Sequence, residues 1–109
     1  MQTFRKIDSE EFVNQVIVNK ADALVKITND WNGSSELLSK TLDGLAQQYE
    51  GKVDFFQVDS EAEEVIVSTY RVESTPTLLF FKKGTLVDKL TGLAQRAVIS
   101  NKIYQLIYA

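Results

Sequence analysis

Two spacings of hydrophobic residues run along the chain, one typical of helices and one typical of strands. Apolar residues at positions 12, 13, 16 and 17 follow Asp8, whose capping-box partner is Glu11, and they predict a first helix over residues 9–18. Short apolar runs over residues 23–27 and 53–58 predict strands. The first half of the chain is therefore predicted to alternate helices with strands.

A long helix and a short one are predicted on either side of the second of these strands. The long helix has apolar side chains at helical spacing and follows Ser34 and Ser35, which suit its N-cap. Its apolar positions are Leu38, Leu42, Leu45 and Tyr49. Ser60 and Glu63 repeat the capping-box pattern and predict the start of the short helix. Each helix is thus expected to begin at a polar cap.

The last part of the chain predicts a hairpin followed by a helix. Apolar runs over residues 78–81 and 86–90 flank a turn signal at residues 82–84. A final helix is expected over residues 95–108, and residues 3–7 are expected to supply a short edge strand. Since hairpin strands are antiparallel while helix-linked strands can be parallel, this order predicts an α/β fold with a central mixed sheet and helices on both faces.

Length, composition and charge restrict the partners of such a domain. The 109 residues suffice for one domain, spanning 1–109, and the hydrophobic (44%) and charged (25%) fractions are those of a soluble globular protein. The net charge is −3 and no basic cluster exceeds Lys82-Lys83, so no nucleic-acid partner is expected. Apolar runs are too short to span a membrane and no signal core follows Met1, which predicts no membrane association and a cytoplasmic location.

The chain contains neither cysteine nor histidine, which removes much of the chemistry of protein sites. Disulfides and thiolate metal sites are ruled out, and so are the commonest metal ligand and acid–base group. An acidic run is interpreted as a solvated face at the positive end of a helix rather than as a metal site. Its members are Asp59, Glu61, Glu63 and Glu64. We therefore expect neither a metal nor a cofactor.

One pentapeptide, Trp31-Asn32-Gly33-Ser34-Ser35, stands out because it lies between a predicted strand and the long helix. It resembles the Trp-Cys-Gly-Pro-Cys signature of the thioredoxin family, with both sulfur positions replaced. Thr75-Pro76-Thr77 precedes a second strand and Gly92 follows a third, in the family's order. The resemblance covers nearly the whole chain, and it implies a thioredoxin fold with a cis peptide bond before Pro76.

The family's chemistry, as the resemblance implies, uses one cysteine to attack a substrate disulfide and a second to resolve the mixed disulfide. Those two positions are Asn32 and Ser35 here. A serine hydroxyl without an adjacent base has no ionised population comparable to a thiolate, and Asn32 offers no nucleophile. Disulfide exchange by this motif is excluded, no catalytic residue is assigned, and the chain is not expected to be an enzyme of that kind.

Residues that support this chemistry in the family differ as well. Lys26 occupies the position of the family's buried aspartate, the lysine that often pairs with that aspartate aligns with Phe55, and Ser34 replaces the motif's proline. A simple knockout of the cysteines would have left these neighbours unchanged. The combined changes indicate natural divergence under a different requirement.

Lys26 allows two interpretations. In the first, its stem packs along apolar surface while its ammonium reaches water or a carboxylate. In the second, it is a buried lysine of lowered pKa that acts as a base or nucleophile toward a ligand beside Ser35. A hydrolase built on Ser35 would still need a base and an oxyanion hole, and the chain supplies no histidine.

The resemblance also implies a substrate-facing surface whose mode of binding needs no sulfur. In the family, the backbone just before the proline pairs with an extended peptide, which is a form of β-augmentation. Trp31 suits an interface anchor, and alternatively it covers the edge of the core. The peptide-binding residues implied in this way are Trp31, Gly33, Thr75, Pro76, Gly92 and Leu93.

Tyrosines in the final helix suggest a second contact surface. A core-facing stripe accounts for Ile99, Ile103 and Leu106. In contrast, Tyr104, Ile107 and Tyr108 extend the apolar character around the end of the helix. Both tyrosines either lie flat on the sheet edge or contact a second copy or a partner. A monomer and a weak homodimer are both compatible with this pattern.

The leading hypothesis for function is a redox-inactive thioredoxin-like protein that binds a protein or peptide, as an adaptor or as a subunit of an assembly. One alternative is a family oxidoreductase in cell redox homeostasis without disulfide chemistry of its own. The other is a diverged enzyme that uses Lys26 and Ser35.

Overall fold

The computed structural model describes residues 4–29 and 33–108, and for residues 33–37 it describes the backbone. The strands are β1 (Arg5–Lys6), β2 (Ala23–Thr28), β3 (Asp54–Asp59), β4 (Thr77–Lys82) and β5 (Thr85–Thr91). The helices are α1 (Ser9–Phe12), α2 (Gly33–Gln48), α3 (Glu64–Thr69) and α4 (Arg96–Tyr108), and a π-helical segment (Val13–Val18) continues α1.

The five strands of the described ranges form one mixed sheet in the order β1-β3-β2-β4-β5. β2 and β3 are parallel, as are β1 and β3, whereas β4 runs antiparallel to both β2 and β5. One apolar cluster lies between the sheet and helices α2 and α4, and another lies between the opposite face and α1, the π-helical segment and α3. The predicted α/β architecture with helices on both faces is confirmed.

The hairpin of β4 and β5 is tighter than its sequence suggests. Lys82 belongs to β4, so the turn consists of Lys83 and Gly84 alone. Their φ angles are 51° and 81°, and a two-residue turn of type I′ requires positive φ at both positions. A side chain on Gly84 would meet the Val16 carbonyl oxygen at 3.0 Å, so glycine is needed there for space as well.

The first helix starts as predicted and then changes character. The Asp8 carboxylate accepts from the Glu11 backbone N–H (2.8 Å), and the Glu11 carboxylate accepts from the Asp8 N–H (3.3 Å), which completes the capping box. From Val13 the helix is π-helical, and the Asn19 N–H bonds the Asn14 carbonyl five residues back. Four of these six residues are β-branched, and such side chains crowd the preceding turn of a regular α-helix.

The capping box predicted for the short helix is wrong. α3 begins at Glu64, and the Asp59 carboxylate instead accepts from the N–H groups of Glu61 (2.9 Å) and Ala62 (3.4 Å). The Glu63 carboxylate accepts from both the N–H and the hydroxyl of Ser9, at 2.9 Å each. An aspartate side chain that accepts from backbone N–H groups two and three residues later favours a turn. Because of this turn, the helix begins only at Glu64.

Candidate functional site

One edge of the sheet brings together residues that lie far apart in the sequence. Ile27 pairs with Thr77, and Thr77 pairs with Thr91, so the end of β2, the start of β4 and the end of β5 meet there. Asn29 therefore follows β2 beside Thr75, and its side-chain amide donates to the Thr75 hydroxyl at 3.1 Å. The loop after β5 lies at this same edge.

Backbone hydrogen bonds hold the loops of this edge in place. The Gly92 N–H donates to the Pro76 carbonyl at 2.8 Å, and the Thr77 hydroxyl donates to the Ser74 carbonyl at 2.7 Å. The Thr75–Pro76 peptide bond is cis. Gly92 has a φ of 83°, a left-handed conformation that favours glycine.

Four of the residues implied as peptide-binding thus lie next to one another, and we call them the rim surface: Thr75, Pro76, Gly92 and Leu93. Pro76 is buried, whereas Thr75 and Gly92 are half-buried. Leu93 is 56% exposed and offers an apolar side chain at this edge. A partner at this edge would therefore contact the backbone around Pro76 and the side chain of Leu93, rather than the proline ring.

The pentapeptide itself is only partly described. Trp31 and Asn32 lie outside the described residues. Gly33 is the first residue of α2, so Ser34 and Ser35 belong to its first turn. The expectation that these serines precede the helix as its N-cap is therefore wrong, because the helix already begins at Gly33, ahead of both of them.

Lys26 is a buried cation on the face of β2 that packs against α2. Only 4% of the residue is exposed, and its ammonium donates to the Ser39 hydroxyl at 2.7 Å. The ammonium also lies 5.1 Å from the centre of the Phe4 ring. Burial lowers the pKa of Lys26, and the charge of Asp43 opposes that effect in part. The stem packs as the first interpretation expected, but the head bonds a hydroxyl of α2.

The register of β2 and β3 sets the neighbours of Lys26 across the parallel strands. Lys26 is in register with Gln57, whereas Phe55 is in register with Leu24 and packs its ring against Phe4 at 5.2 Å. Phe55 therefore lies two positions from the register partner of Lys26 and on the same face of β3, because residues on one face of a strand recur every second position. A neutral amide accompanies Lys26 at this point.

Two cavities are formed by residues that are distant in the sequence. One has a volume of about 250 Å³ and lies between α2 and the loop after the rim surface. Its lining is Leu38, Thr41, Leu93, Ala94 and Gln95. The other, about 240 Å³, lies between the hairpin and α4, and its charged lining includes the ion pair of Lys102 with Asp88. A hydrogen bond from Lys102 keeps the pKa of Asp88 below its ordinary value.

The tyrosines of α4 do not lie flat on the sheet edge. Tyr104 and Tyr108 are each more than half exposed, and their ring centres are 4.6 Å apart. The Lys52 ammonium donates to the Tyr108 hydroxyl at 3.1 Å. An exposed aromatic pair therefore remains on this side of the molecule.

Across the described ranges, no helix is both long and apolar enough to cross a membrane. The same residues contain no cluster of three or more acidic side chains arranged to hold a metal ion.

Comparison with known proteins gives matches over nearly the entire chain. The family model described as Thioredoxin matches residues 3–105. Thioredoxin 1 of Nostoc sp. is 28% identical over 103 residues, which cover 94% of this chain and 96% of the relative. Thioredoxin of Porphyra purpurea is 26% identical over 102 residues, with 94% and 95% covered.

Solved structures show the same fold. A mutant thioredoxin from Halobacterium salinarum superposes with a TM-score of 0.85 at 21% identity, covering 96% of this chain and 91% of that one. Thioredoxin from Trypanosoma brucei brucei gives a TM-score of 0.84 at 21% identity, covering 97% and 92%. The fold class predicted from the sequence is confirmed.

Proposed function

This chain belongs to the thioredoxin family, and from that membership we propose that it binds an extended protein segment at its rim surface without any disulfide chemistry. Thiol–disulfide exchange requires a thiolate, and the chain has no cysteine. The relatives are thioredoxins by name, but their reaction does not transfer to positions 32 and 35.

The observation that carries the proposal is that hydrogen bonds hold the rim surface and do not involve the two positions that replace the family's cysteines. The Gly92 N–H fixes the Pro76 carbonyl, and the Asn29 amide fixes the Thr75 hydroxyl. Both bonds come from outside the pentapeptide. A preorganised edge lowers the entropic cost of ordering a partner, and an exposed Leu93 next to it offers apolar contact area.

An enzyme built on Lys26 receives less support. Its ammonium is buried and bonded to Ser39, which lies one helical turn beyond Ser35 on α2. A general base must reach its substrate within hydrogen-bond distance, and a buried, already bonded ammonium does not meet that condition. Lys26 is instead engaged within the fold, where its ammonium on β2 donates to the Ser39 hydroxyl on α2.

The proposal is tested by affinity capture with variants of matched exposure. Leu93→Glu places a charge on the rim surface, whereas Val87→Glu places the same charge on β5 at a side chain of similar exposure, 54% against 56%. We expect a native partner to be captured by the wild type and by Val87→Glu, and to be lost from Leu93→Glu. Equal capture by all three would exclude the rim surface as the binding site.

A second measurement addresses the absence of redox chemistry. Insulin reduction in the presence of dithiothreitol is expected to proceed at the rate without protein. Turnover above that background would contradict the proposal, whatever the capture experiment shows.

A further inference from the structure

The cavity next to the rim surface is continuous with it. Leu93 belongs to both, with 56% of its surface exposed, and Leu38 forms the floor at 1% exposure. The bond from Gly92 to the Pro76 carbonyl fixes the point at which the chain turns from the rim into the groove. A segment lying along the rim therefore passes the open side of this groove.

The lining of the groove carries no charge among the side chains that the structure describes. Leu38, Leu93 and Ala94 supply apolar walls, while Thr41 and Gln95 add a hydroxyl and an amide at the sides. A charged side chain that entered would lose water and find no opposite charge, which is costly. An apolar side chain would gain from burial against Leu38 and Leu93.

The cavity on the other side of α4 differs in this respect. Its lining includes Lys82, Asp88 and Lys102 beside the apolar floor of Phe80. Among the described lining residues, charged groups are therefore present at one of the two cavities and absent from the other. The uncharged groove is the one that adjoins the rim.

We infer that the groove of Leu38, Thr41, Leu93, Ala94 and Gln95 selects one uncharged apolar side chain, of the size of leucine, isoleucine or methionine, from the bound segment. This inference rests on the proposed function. The groove acts as a specificity pocket, while the backbone at the rim holds the segment. Specificity then arises both from apolar contact and from the exclusion of charge.

The probe is a library of random decapeptides displayed on phage and selected on the immobilised full chain. Selected sequences are expected to share a large apolar residue at one position. A synthetic peptide with that residue replaced by aspartate should bind about tenfold more weakly, as expected for partial burial of one leucine-sized side chain. The peptides are measured by titration calorimetry.

Two variants on α2 separate the groove from the rest of the helix. Thr41→Arg fills and charges the groove, and it should reduce the preference for the apolar peptide over its aspartate form to about twofold or less. Gln47→Arg adds the same group at an exposed position of α2 and should leave the tenfold preference unchanged. Circular dichroism and thermal unfolding establish that both variants are folded.

A rim variant outside the groove separates failure of the inference from failure of the proposed function. Thr75→Arg should abolish binding of the selected peptides. If Thr75→Arg does so but the apolar preference is missing, or survives in Thr41→Arg, the inference is overturned and the proposed function stands. If no peptides are selected, or if Thr75→Arg binds them normally, both are overturned.

Discussion

Replacing Lys26 by methionine should stabilise the protein, because the native residue buries a charge that has few polar contacts. The lysine is 4% exposed, and its ammonium bonds Ser39 at 2.7 Å and faces the Phe4 ring. An effective desolvation penalty of several kcal/mol per buried ion opposes a charge-assisted hydrogen bond of about 2 kcal/mol and a cation–π contact of about 1 kcal/mol. Ser39 is half-buried and Asp43 is exposed, so both can return to water in the variant.

The net effect expected for Lys26→Met is a gain of about 1–3 kcal/mol in the free energy of unfolding, from relief of burial of the charge. Urea unfolding followed by circular dichroism measures it by linear extrapolation. Lys40→Met is the matched control, because Lys40 is exposed on α2, and it should change stability by no more than about 0.5 kcal/mol.

The pH dependence of this gain tests its cause. Burial lowers the pKa of Lys26 in the folded state, while the unfolded chain keeps the ordinary value of 10.5. Between those two pKa values the unfolded state binds a proton that the folded state does not, so the stability of the wild type rises with pH. The advantage of Lys26→Met must therefore shrink as pH approaches 10.5. A wild type as stable as the variant at pH 6, or a difference that stays constant up to pH 10.5, would refute the reasoning.

Three further predictions concern packing, backbone strain and an ion pair. Leu42→Ala should cost about 2–5 kcal/mol in urea unfolding, because the side chain is fully buried between α2 and the sheet; a loss below 1 kcal/mol would contradict that packing. Gly92→Ala and Gly51→Ala should each lower the free energy of unfolding by about 1–2 kcal/mol. Both glycines have a φ of 83° and open space for a Cβ, so only the backbone conformation is penalised. Unequal losses of stability would show that a contact, and not the backbone alone, is affected. In Lys102→Met the pKa of the Asp88 carboxyl, followed by NMR, should rise, and an unchanged pKa would refute the pairing. In the wild type this pair contributes less than about 1 kcal/mol, because the carboxylate is part-exposed. That contribution should disappear as the pH falls from 3.8 through the lowered pKa of Asp88.

Most of the element order follows from local pattern. The apolar repeat from Leu38 to Tyr49 predicts α2, and the Lys83-Gly84 signal predicts the hairpin, because side-chain periodicity and turn conformation are properties of a few adjacent residues. The structure differs from the sequence-based prediction where two local signals compete for the same backbone groups. The Glu63 N–H, which the Ser60 cap was expected to bond, donates instead to the Asp59 carbonyl at 3.0 Å, and only the folded geometry decides between the two acceptors.

Contacts between distant residues could not be predicted in the same way. The register of β2 and β3 sets Gln57 beside Lys26, and a shift of two positions would leave the same residues on each face of the strand, so the sequence pattern does not determine this pairing. The groove joins Thr41 to Gln95, which no local periodicity connects. In contrast, the resemblance of Pro76 and Gly92 to a family pattern located the rim, and their hydrogen bond explains why those two positions belong together.

The most direct test of a binding role without disulfide chemistry is quantitative capture of a native partner with and without dithiothreitol. The wild type and Val87→Glu should retain the partner equally in both conditions, because the complex contains no disulfide to this chain. Leu93→Glu should lose it in both conditions. Retention of the partner by Leu93→Glu, or its release from the wild type by dithiothreitol, would contradict the account.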